Sequence, residues 1–60
     1  KNMTKLYDLP QKFVVYDERD AKGITTGYTL HCNGRFVYWA DNLNKIFIAF
    51  GQIMDRRHIT

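Results

Sequence analysis

Gly27-Tyr28-Thr29-Leu30-His31-Cys32-Asn33-Gly34-Arg35-Phe36-Val37-Tyr38-Trp39-Ala40 is the stretch that decides the fold. Asn33-Gly34 sits between two runs rich in β-branched and aromatic residues. A two-residue type I′ turn needs positive φ at both central positions, which Asn and Gly tolerate, so the pair is a strong hairpin signal. It predicts strands over about Thr25 to Cys32 and Arg35 to Ala40. Its simplest register pairs Cys32 with Arg35, Leu30 with Val37 and Tyr28 with Trp39.

Upstream, Phe13-Val14-Val15-Tyr16 has the composition of another packed strand. Asp20-Ala21-Lys22-Gly23 then reads as a type I turn closed by a glycine bulge, since Asp suits the first position and Gly the left-handed one. This turn predicts pairs Val14–Leu30 and Tyr16–Tyr28. Three strands joined by sequential hairpins form a meander.

Downstream, the period changes from two to 3.6. Leu43, Ile46, Phe47, Phe50, Ile53 and Met54 fall on one stripe of a helix running roughly from Asp41 to Arg57. Asp41 or Asn42 supplies a side-chain oxygen to cap its start. Arg56, Arg57 and His58 complement the dipole at its end. Ile48 is the apolar exception on the polar side, among Asn44, Gln52 and Asp55, and with Gly51 nearby it is a candidate second contact.

The expected fold is therefore α+β, a three-stranded antiparallel β-meander packed on one C-terminal amphipathic helix (β-β-β-α). Residues 12–60 make the single domain. Residues 1–11, polar and ending near Pro10, are expected to be an N-terminal arm, because proline stops a strand ladder. Sixty residues hold one domain with a small core.

The predicted registers divide the sheet into two faces. Val14, Tyr16, Tyr28, Leu30, Val37 and Trp39 share the face expected beneath the helix. Phe13, Val15, Thr29, His31, Phe36 and Tyr38 share the other, which is too apolar for a solvated face. A one-residue slip of the first hairpin exchanges Phe13 and Val15 with Val14 and Tyr16 and leaves that face apolar. The arm, a second subunit or a partner must cover it, and Phe13, Val15, His31, Phe36 and Tyr38 are the candidate partner-binding residues.

Chemistry finds little support. Cys32 is the single cysteine, so no disulfide forms within the chain. Its neighbour His31 points to the opposite side of a strand, which breaks any nucleophile–base pairing. No His or Cys spacing suggests zinc, and no cofactor or metal is expected. Asp17, Glu18 and Asp20 read as a solvated hairpin end. The chain has no serine, and its threonines lack a base, so it is expected not to be an enzyme. A lone thiol and no N-terminal apolar stretch predict a cytoplasmic setting without a membrane span.

Nine Lys and Arg against six Asp and Glu give a net charge of +3. The cations are scattered. Lys12, Arg19, Lys22 and Arg35 are the candidate nucleic-acid contacts, set against the aromatic residues as stacking surfaces. In size and architecture the chain resembles phage-encoded modifiers of host enzymes, such as inhibitors of DNA-repair glycosylases. That resemblance implies a non-enzymatic protein-binding module that inhibits or modulates a larger enzyme, although a DNA mimic would be acidic. It also resembles the three-stranded arm-binding domains of some integrases, which implies the alternative of a nucleic-acid-binding domain. Self-association as a homodimer is the third way of covering the open face.

Overall fold

A computed structural model describes residues 2–59, with side chains described through Arg57. The chain forms β1 (Asn2–Leu9), a 3-10 turn (Pro10–Lys12), β2 (Phe13–Arg19), β3 (Thr25–Cys32), β4 (Arg35–Ala40) and α1 (Leu43–Ile59). The strands make one antiparallel sheet in the order β1-β2-β3-β4, with α1 across one side. The expected antiparallel sheet and C-terminal helix are present, but the sheet has four strands rather than three.

The extra strand comes from the expected arm. Asn2–Leu9 pairs along β2, from Asn2 opposite Arg19 to Leu9 opposite Phe13, with a bulge at Leu6. Almost every side chain in it is exposed, so its backbone ladder holds it more than its burial does. Pro10 does not end the sheet. It opens the tight turn into β2, in which the Phe13 amide donates to the Pro10 carbonyl. Gln11 and Lys12 both take positive φ there, 61° and 66°. That conformation normally selects Asn or Gly, which is why the sequence gives no hairpin signal at this point.

Both turns read from sequence form. The Gly23 amide donates to the Asp20 carbonyl at 3.0 Å, and Asp20 Oδ1 accepts from the amides of Lys22 and Ile24 at 2.9 and 3.0 Å. Gly23, Asn33 and Gly34 all have positive φ. The registers, however, shift by one residue in each hairpin. Glu18 pairs with Gly27 while Arg19 pairs with Thr25, leaving Thr26 as an extra residue. His31 pairs with Phe36 while Leu30 pairs with Tyr38, leaving Val37 as another.

Because side chains alternate, each bulge moves every residue beyond it to the other side. Phe13 and Val15 lie beneath the helix at 0% exposure, with Val14 and Tyr16 on the outer side. Tyr38 and Ala40 turn toward the helix, and Trp39 turns outward. The core is Phe13, Val15, Leu30, Ala40 and Ile46, flanked by Leu9, Tyr28, Leu43, Phe50, Ile53 and Met54. The helix stripe read from sequence thus packs as expected, on a face whose members had been assigned one residue out of step. Asn42 is the cap, with its Oδ1 accepting from the Lys45 amide at 3.0 Å.

Candidate interaction surface

Among the described residues, the outer side of the sheet carries no second layer. β1 lies beside β2 as an edge strand, so it widens this surface instead of covering it. Register places Met3 and Lys5 of β1, Val14, Tyr16 and Glu18 of β2, Thr29 and His31 of β3, and Phe36 and Trp39 of β4 on the same side. Their rings touch. His31 packs edge-on against Tyr16 at 4.9 Å and against Phe36 at 5.9 Å between ring centres. Phe36 is 62% exposed and Trp39 45%.

Trp39 is positioned by an absence. A Cβ on Gly27 would come within 2.6 Å of the indole carbons, so the ring lies over the bare glycine. Its N–H donates to Glu18 Oε1 at 3.2 Å. Glycine inside a strand weakens the ladder, and a close approach of this kind is a common reason for one. Gly27 is therefore the sequence signal for Trp39, which the face assignment missed together with Tyr16. Met3, Glu18, Thr29, His31, Phe36 and Trp39 border an open hollow of about 540 Å³.

Gly27→Val forces the indole off the sheet and breaks its bond to Glu18. The expected result is a red-shifted tryptophan emission with loss of about 1 kcal/mol of stability, read by fluorescence and a urea melt. Unchanged emission would mean that Trp39 does not rest on Gly27.

The residues expected to meet a partner separate into three groups. His31 and Phe36 are on the outer surface. Phe13 and Val15 are sealed in the core, where they present nothing to a partner. Tyr38, 40% exposed, faces the helix side at the free edge of β4.

The candidate nucleic-acid contacts also separate. Lys12 and Arg35 are at the end of the sheet where β2 begins, and Asn33 donates to the Lys12 carbonyl there at 3.0 Å. Arg19 and Lys22 are at the opposite end, six residue steps or ~20 Å away along β2. Arg19 is also bonded through Nε to Asp17 Oδ2 at 3.0 Å. On the outer face itself, Lys5 pairs with Asp8 at 3.0 Å, and Glu18 adds a second carboxylate.

Cys32 is a free thiol on the helix side, with Sγ 3.7 Å from the Gln11 carbonyl. Among the described residues no three His, Cys, Asp or Glu side chains converge as a metal-binding set. Among the described residues, no helix is long and apolar enough to cross a membrane. The side chain of His58 lies outside the described residues. No family model, curated protein or solved structure matches the chain.

Proposed function

We propose that this protein is a non-enzymatic protein-binding module whose contact surface is the outer face of the sheet. One observation carries the reading: Phe36, Trp39 and Met3 stand 62%, 45% and 48% exposed on the side of the sheet opposite α1. Clustered exposed apolar side chains of this kind mark interaction surfaces. Tryptophan and tyrosine are also favoured anchors at the centre of protein interfaces. Binding a larger protein, in the manner of a small modulator or inhibitor, uses such a face directly.

The charge pattern supports a protein over a nucleic acid. Phosphate recognition needs cations between stacking aromatics. Here the face holds Lys5, already paired with Asp8, and the carboxylate of Glu18.

The test places a photo-crosslinking phenylalanine analogue at position 36, with position 22 in the solvated turn as control. Irradiation in cells is expected to give a discrete protein adduct at position 36 and none at 22. Trp39→Asp in the same chain is expected to abolish it. An adduct removed by nuclease would favour the nucleic-acid reading. Absence of any adduct dependent on Trp39 would overturn the proposal.

A further inference from the structure

We infer that the free edge of β4, together with the groove between it and α1, accepts an extended acidic segment of another protein as a fifth strand. This site borders the outer face at Phe36 and Trp39, but it is argued from the strand edge and the groove and does not rest on the reading given to that face.

β4 is the last strand in the sheet order, so one side of its backbone has no strand partner among the described residues. An edge of this kind is a template for strand addition unless it is defended by charge, proline, a bulge or cover. The other edge is defended, since β1 carries Lys5 and Asp8. In β4 only Arg35, at its start, is charged; Phe36-Val37-Tyr38-Trp39-Ala40 follow without charge or proline, and beyond the bulge at Val37 the strand runs regularly from Tyr38 to Ala40.

The edge has a groove beside it. Val37 and Tyr38 of β4 and Ile48 and Ile53 of α1 wall an open groove of about 400 Å³, with Lys45 and Arg56 on the helix side. Val37, Tyr38 and Ile48 are 37%, 40% and 60% exposed. Ile48 is the residue that broke the polar side of the helical wheel, and here it acquires a role. A strand laid against β4 sends alternate side chains to opposite sides. Those on one side enter the groove, and those on the other lie beside Phe36 and Trp39. Main-chain bonds supply affinity in such complexes, and the pockets for alternate side chains supply selectivity.

Charge specifies the occupant. Lys45 and Arg56 are eleven residues apart on α1, or ~16 Å at the helical rise. That distance matches about five residues of extended strand, so two carboxylates on one side of it, about four or six residues apart, meet the two cations. Lys45 already contacts Asp41 at 3.1 Å, but both side chains are more than half exposed, and a pair so exposed contributes little. A second copy of this chain fits poorly. Pairing two β4 edges about a two-fold axis sets each Lys45 and Arg56 flank toward its own copy, in a chain that already carries +3.

The test uses the capped peptide Thr-Glu-Thr-Val-Thr-Glu-Thr and a counterpart with lysine in place of glutamate. With ¹⁵N-labelled protein, the acidic peptide is expected to shift the amides of Arg35–Ala40 and slow the exchange of those facing outward. Arg56→Glu is expected to weaken it by roughly tenfold and to admit the lysine peptide. Ile48→Asp weakens it as well, whereas Tyr16→Ala on the outer face leaves it unchanged. The inference is overturned by equal binding of the two peptides or by an absence of shifts in β4. It is likewise overturned by β4 shifts that follow protein concentration alone, or by the same shifts on adding oligothymidylate.

Discussion

Phe13→Ala is expected to lower the unfolding free energy by about 3–5 kcal/mol, the usual result of emptying a phenylalanine site in a packed core. The side chain is fully buried. Its ring meets Phe50 edge-on at 5.2 Å, and the Arg57 guanidinium sits 5.0 Å above it. At roughly 0.05–0.15 kcal/mol per residue, a chain of this length has only about 3–9 kcal/mol in total. The variant should therefore lose a third or more of the total, and is largely unfolded near room temperature if the parent lies in the lower half of that range. Phe36→Ala removes the same ring from a site 62% exposed, and the expected loss is under about 1 kcal/mol. Urea melts of the two variants beside the parent decide the matter. A larger loss at Phe36 would mean that the two sides of the sheet are assigned the wrong way round.

That comparison bears on the feature the sequence carried least well. Turn chemistry was legible because it is local: Asp20, Gly23, Asn33 and Gly34 each take the conformation their side chains favour. Register was not, because it is settled at a distance. The bulge at Thr26 sets Gly27 opposite Glu18 and turns Val14 and Tyr16 outward, and the missing side chain of Gly27 makes room there for Trp39. The bulge at Val37 brings Trp39 to that side and puts small Ala40 under the helix. Neither bulge has a local signature, and a one-residue slip reverses a whole strand.

The fourth strand was silent for a related reason. Asn2–Leu9 shows no alternation of apolar and polar residues, since neither of its sides is sealed. Only Leu9, and Tyr7 against Phe47 at 5.7 Å between ring centres, link it to the apolar layer. Propensity and patterning report burial, so a strand held through its backbone leaves little trace in sequence. The helix was legible for the opposite reason. Its 3.6-residue stripe depends on its own geometry and not on which partner it meets.

In the candidate surface, His31 and Phe36 were legible because both precede the Val37 bulge in the hairpin and keep the register set by Asn33-Gly34. Trp39 and Tyr16 lie beyond a bulge and were assigned to the covered side. The two slips exchanged the β2 residues and the end of β4 between the faces, kept Tyr28, Leu30, Thr29, His31 and Phe36 where the turns had set them, and left both faces apolar. The inference that an apolar sheet face stands open thus depended on composition, which survives a slip, whereas the names of its residues depended on register, which does not.

Ile46→Asp tests the helix stripe, whose buried side sequence and structure place alike, and it is expected to abolish folding. Ile46 is fully buried against the cluster of Phe13, Val15, Leu30 and Ala40. Losing its side chain alone costs about 2–5 kcal/mol. An unpaired carboxylate in its place adds several kcal/mol of desolvation. Together these match or exceed the roughly 3–9 kcal/mol available to the chain. The expected observations are loss of amide dispersion in the ¹H–¹⁵N spectrum and no cooperative melt. Ile48→Asp moves the same substitution two residues along, about 200° around the helix, to a side chain 60% exposed. There the expected change is within about 0.5 kcal/mol. Equal damage at both positions would mean that α1 is rotated from the orientation described, and the groove beside β4 would then lack its apolar wall. A folded Ile48→Asp is what allows that variant to report on strand addition at β4, because any loss of peptide binding then belongs to the groove and not to the fold.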